Sequence, residues 1–158
     1  LGWDPSHQIP PSIQASLEEA GKALSIANYP SCVVMCRRTV EALLKFAFLR
    51  LLKRPAVDNK GKALTLDAMI EQFKKQEPHP IPMHLLQVVD SIRLIGNIPG
   101  AHPVGIEGYK FSKHDAGFTL ASVHHFLEQY FSKIDKEVSE YYTLTIDLTD
   151  AIEEGLDE

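Results

Sequence analysis

The sequence predicts an all-α protein, a bundle of five helices. Apolar residues recur at helical spacing in five separate runs, prolines and glycines punctuate those runs, and good N-cap residues stand where runs begin. With 158 residues, 44% of them apolar and 23% charged, the chain has the size and make-up of one soluble domain with a single sizeable core.

In "PPSIQASLEEAGKALSIAN", Ile13, Leu17, Ala20, Leu24 and Ala27 form one apolar stripe, and Pro10 and Pro11 suit the first turn. "YPSCVVMCRRTVEALLKFAFLRLLKR" follows, opened by Pro30. Its apolar residues occupy nearly every face, which predicts the central helix of the bundle. Pro55 and the run Asp58 to Gly61 mark a loop. Thr65 is a good N-cap for "LDAMIEQFKK", with Asp67 in the electropositive first turn. The proline-rich "EPHPIP" separates that helix from "MHLLQVVDSIRLIGN". There Met83, Leu86, Val89 (or Asp90), Ile92 and Ile95 face inward, and Gly96-Asn97 suits the C-terminus. "SKHD" reads as a capping box with Asp in place of Glu. It opens a fifth helix whose buried stripe is expected to run through Phe118, Ala121, His125 (or Leu127), Tyr130, Ile134 and Val138.

The end of the chain has a different period. In "TLTIDLTD", Leu144, Ile146 and Leu148 alternate with Thr and Asp, as in a half-buried strand. A lone strand leaves its backbone groups unsatisfied, so pairing across a dimer is the expectation. The division is therefore 1–142 as the helical bundle and 143–158 as an acidic tail. From Glu137 onward there are 8 acidic residues and no Lys or Arg, against 16 basic and 13 acidic side chains before it. That makes the body +3 and the tail −8. Such a tail favours solubility, and a mildly basic body suits a phosphate-rich ligand.

No apolar run of about 18 residues is present and Leu1–Pro11 lacks a signal pattern, so no membrane association and a cytoplasmic location are expected. The chain starts at Leu1 rather than Met, as a piece of a larger host protein would. Cys32 and Cys36 lie one helical turn apart and read as buried reduced thiols. The seven histidines give no metal pattern: His124 and His125 diverge on a helix, and no His-x-x-x-His has a carboxylate partner. No metal or cofactor is expected. The cluster Lys45, Arg50, Lys53, Arg54, Lys60 and Lys62 complements the C-terminal dipole of the central helix, while Phe46 and Phe48 point into the bundle.

Two polar groupings remain. Arg37 and Glu41, four apart, can pair along the central helix as part of an internal network. With Arg38 and Arg93 they could instead converge on a phosphate or on shared carboxylates. Arg93 and Asn97 share one face of the last turn of the fourth helix, ahead of the Pro99-Gly100 break and His102.

These same residues carry a resemblance. "PPSIQASLEEAGKALSIANYPSCVVMCRRTVEALL", with its Arg-Arg-x-x-Glu helix, and "SIRLIGNIPGAH" resemble the family called domain of unknown function 4145, in the HEPN superfamily of nucleotide-binding helical domains. The closing helix after "FSKHDAGFTLASVHHFLEQYF" fits as well. The resemblance implies a five-helix up-and-down bundle that forms a homodimer, with the Arg-Asn-His region near the two-fold axis. It implies nucleotide or RNA as ligand, or an assembly role in a restriction, toxin–antitoxin or phage-defence protein. In catalytic members an Arg and a nearby His form a metal-independent ribonuclease site. A near-neutral imidazole takes the ribose 2′-OH proton there, and a guanidinium stabilises phosphoryl charge. In this chain Gly96 stands where active members carry the arginine, Pro99-Gly100 lengthens the turn, and Arg93 lies a helical turn further back. The expected function is therefore a non-catalytic binding or assembly module. The alternative is an endoribonuclease with His102 as base and Arg93 and Asn97 stabilising the phosphate.

Overall fold

The computed structural model describes residues 10–97 and 110–135, which form an all-α bundle: α1 (Pro11–Ser25), α2 (Tyr29–Leu52), α3 (Leu66–Lys74), α4 (Met83–Gly96) and α5 (Lys113–Gln129). A π-helical turn, Tyr130–Ile134, extends α5. No strand occurs among the described residues, where the nearest thing is an isolated bridge, Val57 to Ala63. The segment expected as a strand, 143–150, lies outside them, as do Val138 and His102.

The helix ends follow from local chemistry. Pro11 opens α1, and the Thr65 hydroxyl accepts the Ala68 N–H at 3.1 Å to cap α3. Ser112 and Asp115 form the reciprocal capping box of α5. After α1, Asn28 N–H bonds Ala23 C=O at 2.8 Å and Ala27 N–H bonds Leu24 C=O at 3.1 Å. This is a Schellman turn with Ala27 in the left-handed position at φ 59°. The tight reversal lays α1 antiparallel on α2.

α2 touches all four other helices. Its Cys32, Val33, Cys36, Val40, Leu43, Leu44, Ala47 and Phe48 are fully buried, so the central position read from its all-round apolarity is the observed one. Cys32 meets Ala116 at the start of α5, Phe46 meets Phe131 near its end, and Arg50 meets Asp135 just beyond. Matched spacing along both helices means α2 and α5 run parallel. The far end of α3 meets the far end of α2, where Phe48 and Phe73 pack edge to face at 5.5 Å. α4 then returns along α2, for its last residue, Gly96, sits against Arg37, eleven residues back from Phe48. The four long helices thus alternate up and down, while nine-residue α3 runs alongside as a short insertion.

The expected stripes are corrected in part: Ala27 lies beyond α1 and is exposed, Met83 at the start of α4 is exposed, and α5 turns a different face inward. The buried face of α5 is Ala116, Thr119, Val123, Phe126, Leu127 and Tyr130, whereas Phe118 is 65% exposed and Ala121 and His125 face outward. Leu127 and Tyr130, also read as inward, are buried. A threonine enters the core because its hydroxyl donates to the Asp115 carbonyl at 2.7 Å and so needs no other partner.

The basic cluster at the end of α2 also has more definite roles than dipole compensation. Arg54 lies over the Phe48 ring at 4.8 Å and donates to Gln72 at 3.1 Å. Arg50 donates from Nε and Nη2 to both oxygens of Asp135, each at 3.2 Å. Asp135 is 6% exposed and also accepts the Tyr130 hydroxyl at 3.1 Å. Burial, then the Asp135 charge, push the Tyr130 phenol well above its usual range. A phenol raised in the folded state ionises first in the unfolded chain, so its contribution is complete below about pH 10 and declines as pH rises beyond that. The urea midpoint of the wild type should therefore fall more steeply between about pH 9.5 and 11 than that of Tyr130→Phe, which lacks the titrating group. Equal slopes would mean Tyr130 ionises as freely folded as unfolded.

Candidate functional site

The two motifs that stand far apart in sequence meet where α4 ends against α2. A Cβ built on Gly96 would lie 2.7 Å from Arg37 Cδ, 2.9 Å from its Cβ and 3.2 Å from its Cγ. Only a residue without a side chain allows this approach, and Gly96 is buried. The arginine stem is thus flattened on the α4 backbone. Its Nε is a buried polar atom with no hydrogen-bond partner among the described residues, and the side chain is 31% exposed.

Beyond the crossing, Arg37 Nη1 and Lys45 Nζ both approach Glu41, at 3.7 and 3.5 Å, forming a ladder along one face of α2. The Arg37–Glu41 pairing expected from spacing is present, but its burial is not: Glu41 is 26% exposed, and solvent screens the pair. Arg38, the next residue, points to a different face and is exposed, with only a weak 3.9 Å approach to the Met35 sulfur. Arg37 and Arg38 do not converge.

Arg93 turns toward α3. Its Nε donates to Asp90 one turn back at 2.8 Å, and Nη2 approaches Asp67 at 3.7 Å. Asp67, read from sequence as a dipole-compensating residue in the first turn of α3, also ties α3 to α4. Asn97 is the exposed C-cap of α4, its backbone N–H shared among the carbonyls of Arg93, Leu94 and Ile95. Arg93 and Asn97 therefore share the last turn, as their spacing requires, with the guanidinium engaged by carboxylates. Three cations, Arg37, Lys45 and Arg93, thus stand beside three carboxylates, Glu41, Asp67 and Asp90.

Residues 18–145 match the model of the family described as domain of unknown function (DUF4145). The chain belongs to that family. The match runs from midway along α1 past the end of α5, so both halves of the Arg37–Gly96 contact lie inside the DUF4145 domain. No curated protein and no solved structure matches the chain.

Cys32 and Cys36 are free and fully buried; the hydrogen bond between them, with burial, pushes the Cys36 thiol well above its usual range, while the same bond lowers Cys32 against the opposing effect of burial. Among the described residues no three His, Cys, Asp or Glu side chains gather as a metal site would require, and no helix is long and apolar enough to cross a membrane. The Arg50–Asp135–Tyr130 triad was the polar group least legible in sequence. Its signal was an arginine inside the apolar run "FAFLRLL", which needs a buried counter-charge.

The crossing should be the sensitive point. Gly96→Ala is expected to cost about 1–3 kcal/mol because Arg37 Cβ cannot rotate away, and Arg37→Ala should relieve part of that cost in the double variant. Additive melting shifts would mean the helices do not meet there. Glu41→Ala, by contrast, should cost under about 1 kcal/mol, since the partners it leaves are solvated. A loss approaching full unfolding in urea titration would restore the buried-pair reading.

Proposed function

We propose that this chain is a HEPN-type domain acting as a non-catalytic, homodimeric binding module for RNA or nucleotide, within a larger cytoplasmic protein or assembly. The observation that carries the non-catalytic reading is the engagement of Arg93 by Asp90 and Asp67. A guanidinium that stabilises phosphoryl charge has to meet that charge in the transition state, and one already held by two carboxylates makes a weak electrophile. The binding reading is supported by the basic balance of the body, by the exposed Lys45 and partly exposed Arg37 on one face of α2, and by the exposed Arg38 on another.

One observation favours ribonuclease activity as the second reading. Arg37 lies over Gly96, the position that catalytic members fill with arginine, and its buried Nε has no partner among the described residues. A guanidinium delivered from α2 would stand near the place of one delivered from α4, with His102 as general base and Asn97 as a further donor. The test is incubation with labelled single-stranded RNA in EDTA, alongside His102→Ala and Arg37→Ala. Binding without cleavage, weakening with salt, is the expected result. Cleavage that vanishes in both variants would establish the nuclease, and neither binding nor cleavage would leave a structural dimer.

A further inference from the structure

The outward face of α5 lacks the charge that a solvated helix face normally carries. From Ala116 to Leu127, more than three turns, there is no Asp, Glu, Lys or Arg. By comparison α1 exposes Glu18, Glu19 and Lys22, and α3 exposes Asp67 and Glu71. Phe118, Ala121 and His125 are exposed along this stretch of α5, and the Phe118 ring stands 65% exposed beside an open groove that Leu24 and Gly117 also line. An uncharged, partly apolar strip with polar ends has the form of a contact surface. Its ends are opposite in sign. Lys113 lies in the electropositive first turn of α5, and Glu128 in the last. Neither has an ion-pair partner among the described residues, whereas the Asp115 carboxylate is taken up by the Ser112 cap.

We infer that this face is a two-fold contact between two copies of the chain, their α5 helices packed antiparallel about an axis beside Ala121. Spacing comes first. His114, Phe118, Ala121, His125 and Glu128 are all exposed and recur at intervals of 4, 3, 4 and 3, the seam along which two helices pack at a shallow angle. Size comes second. Ala121 at the centre lets the two backbones approach closely, and Phe118 then packs over His125 of the partner subunit on each side of the axis. Charge comes third, and it selects the antiparallel arrangement. With the axis at Ala121, Lys113 and His114 stand beside Glu128 of the partner subunit, and the pairing occurs twice because the contact is symmetric. A parallel pair would set Lys113 against its own copy and Glu128 against its own. The strip from Lys113 to Glu128 is about 22 Å long and a helix about 10 Å wide, so the contact is smaller than the about 800 Å² per partner of a standard interface. A dimer that dissociates in the micromolar range is the expected form. The inference rests on the homodimer of the proposed function and not on RNA binding, and it sets the axis on α5 rather than at the end of α4.

The test is sedimentation velocity of the full chain over a concentration series, beside charge-swap variants. Lys113→Glu and Glu128→Lys should each weaken the dimer several-fold, and the double variant should restore it, since the swap preserves both pairs across the axis. Phe118→Asp should raise the dissociation constant about tenfold or more, with the melting point of the dilute protein unchanged because the ring is exposed. Ala121→Cys, on the axis, should give a covalent dimer in oxidised glutathione buffer, whereas Glu71→Cys on α3 should not. Cys32 and Cys36 are fully buried and do not compete. A dimer indifferent to all of these changes would overturn the α5 contact and leave the homodimer standing on another face. A chain that stays monomeric at every concentration would overturn the contact and the homodimer together.

Discussion

The close approach of α2 and α4 organises the rest of the molecule. Where Arg37 lies on Gly96 there is no side chain between the two backbones, and the long stem of an arginine serves as packing material, with its charged end left at the surface. That contact fixes the height at which α4 ends. The height then determines where Arg93 can reach, and Asp67 at the head of α3 lies within that reach. α3, only nine residues long, is held chiefly by four buried apolar side chains, Leu66, Met69, Ile70 and Phe73. It is clamped at one end by this ion pair and at the other by the Phe48–Phe73 contact. A larger residue at position 96 would displace α4 and, through Arg93, loosen a helix it does not touch.

Signals that act within a turn or two were legible in the sequence. The caps at Thr65 and Ser112, the prolines opening α1 and α2, and the end of α4 at Asn97 all depend on groups a few residues apart. The central role of α2 was legible too, because apolarity on every face has one physical meaning. The inward face of α5 was legible only in part. Of that face only Leu127, as the alternative to His125, and Tyr130 were readable; Phe118 and Ala121 lie outside, and Thr119 enters the core with its hydroxyl satisfied by its own helix.

For the site, spacing identified which residues share a turn but could not say which partners they find. Arg37 with Glu41 is a local relation and was readable. Its exposure was not, since that depends on what covers the face. Arg93 with Asp67 and Arg50 with Asp135 join residues 26 and 85 positions apart, and no periodicity links such pairs. The role of Gly96 was hidden for the same reason: in sequence it is a helix-ending glycine, and only the crossing makes it a packing requirement.

These contacts divide the polar side chains into two kinds. Asp135 is deeply buried and its partners are fixed by a bidentate fork and a phenol, so it behaves as part of the core and orders the close of α5. Arg37, Glu41 and Lys45 form an open ladder whose members can exchange partners at little cost, because water stands ready to replace each one. An anion arriving at that face has to displace Glu41 from two cations, a modest demand in solvent. At Arg93 it would have to displace a carboxylate held at 2.8 Å on a side chain only 19% exposed, and would disturb the joint between α3 and α4. Under the proposed binding role an anion would meet the α2 ladder first, while the arginine nearest the family motif joins α3 to α4 through its two carboxylate partners.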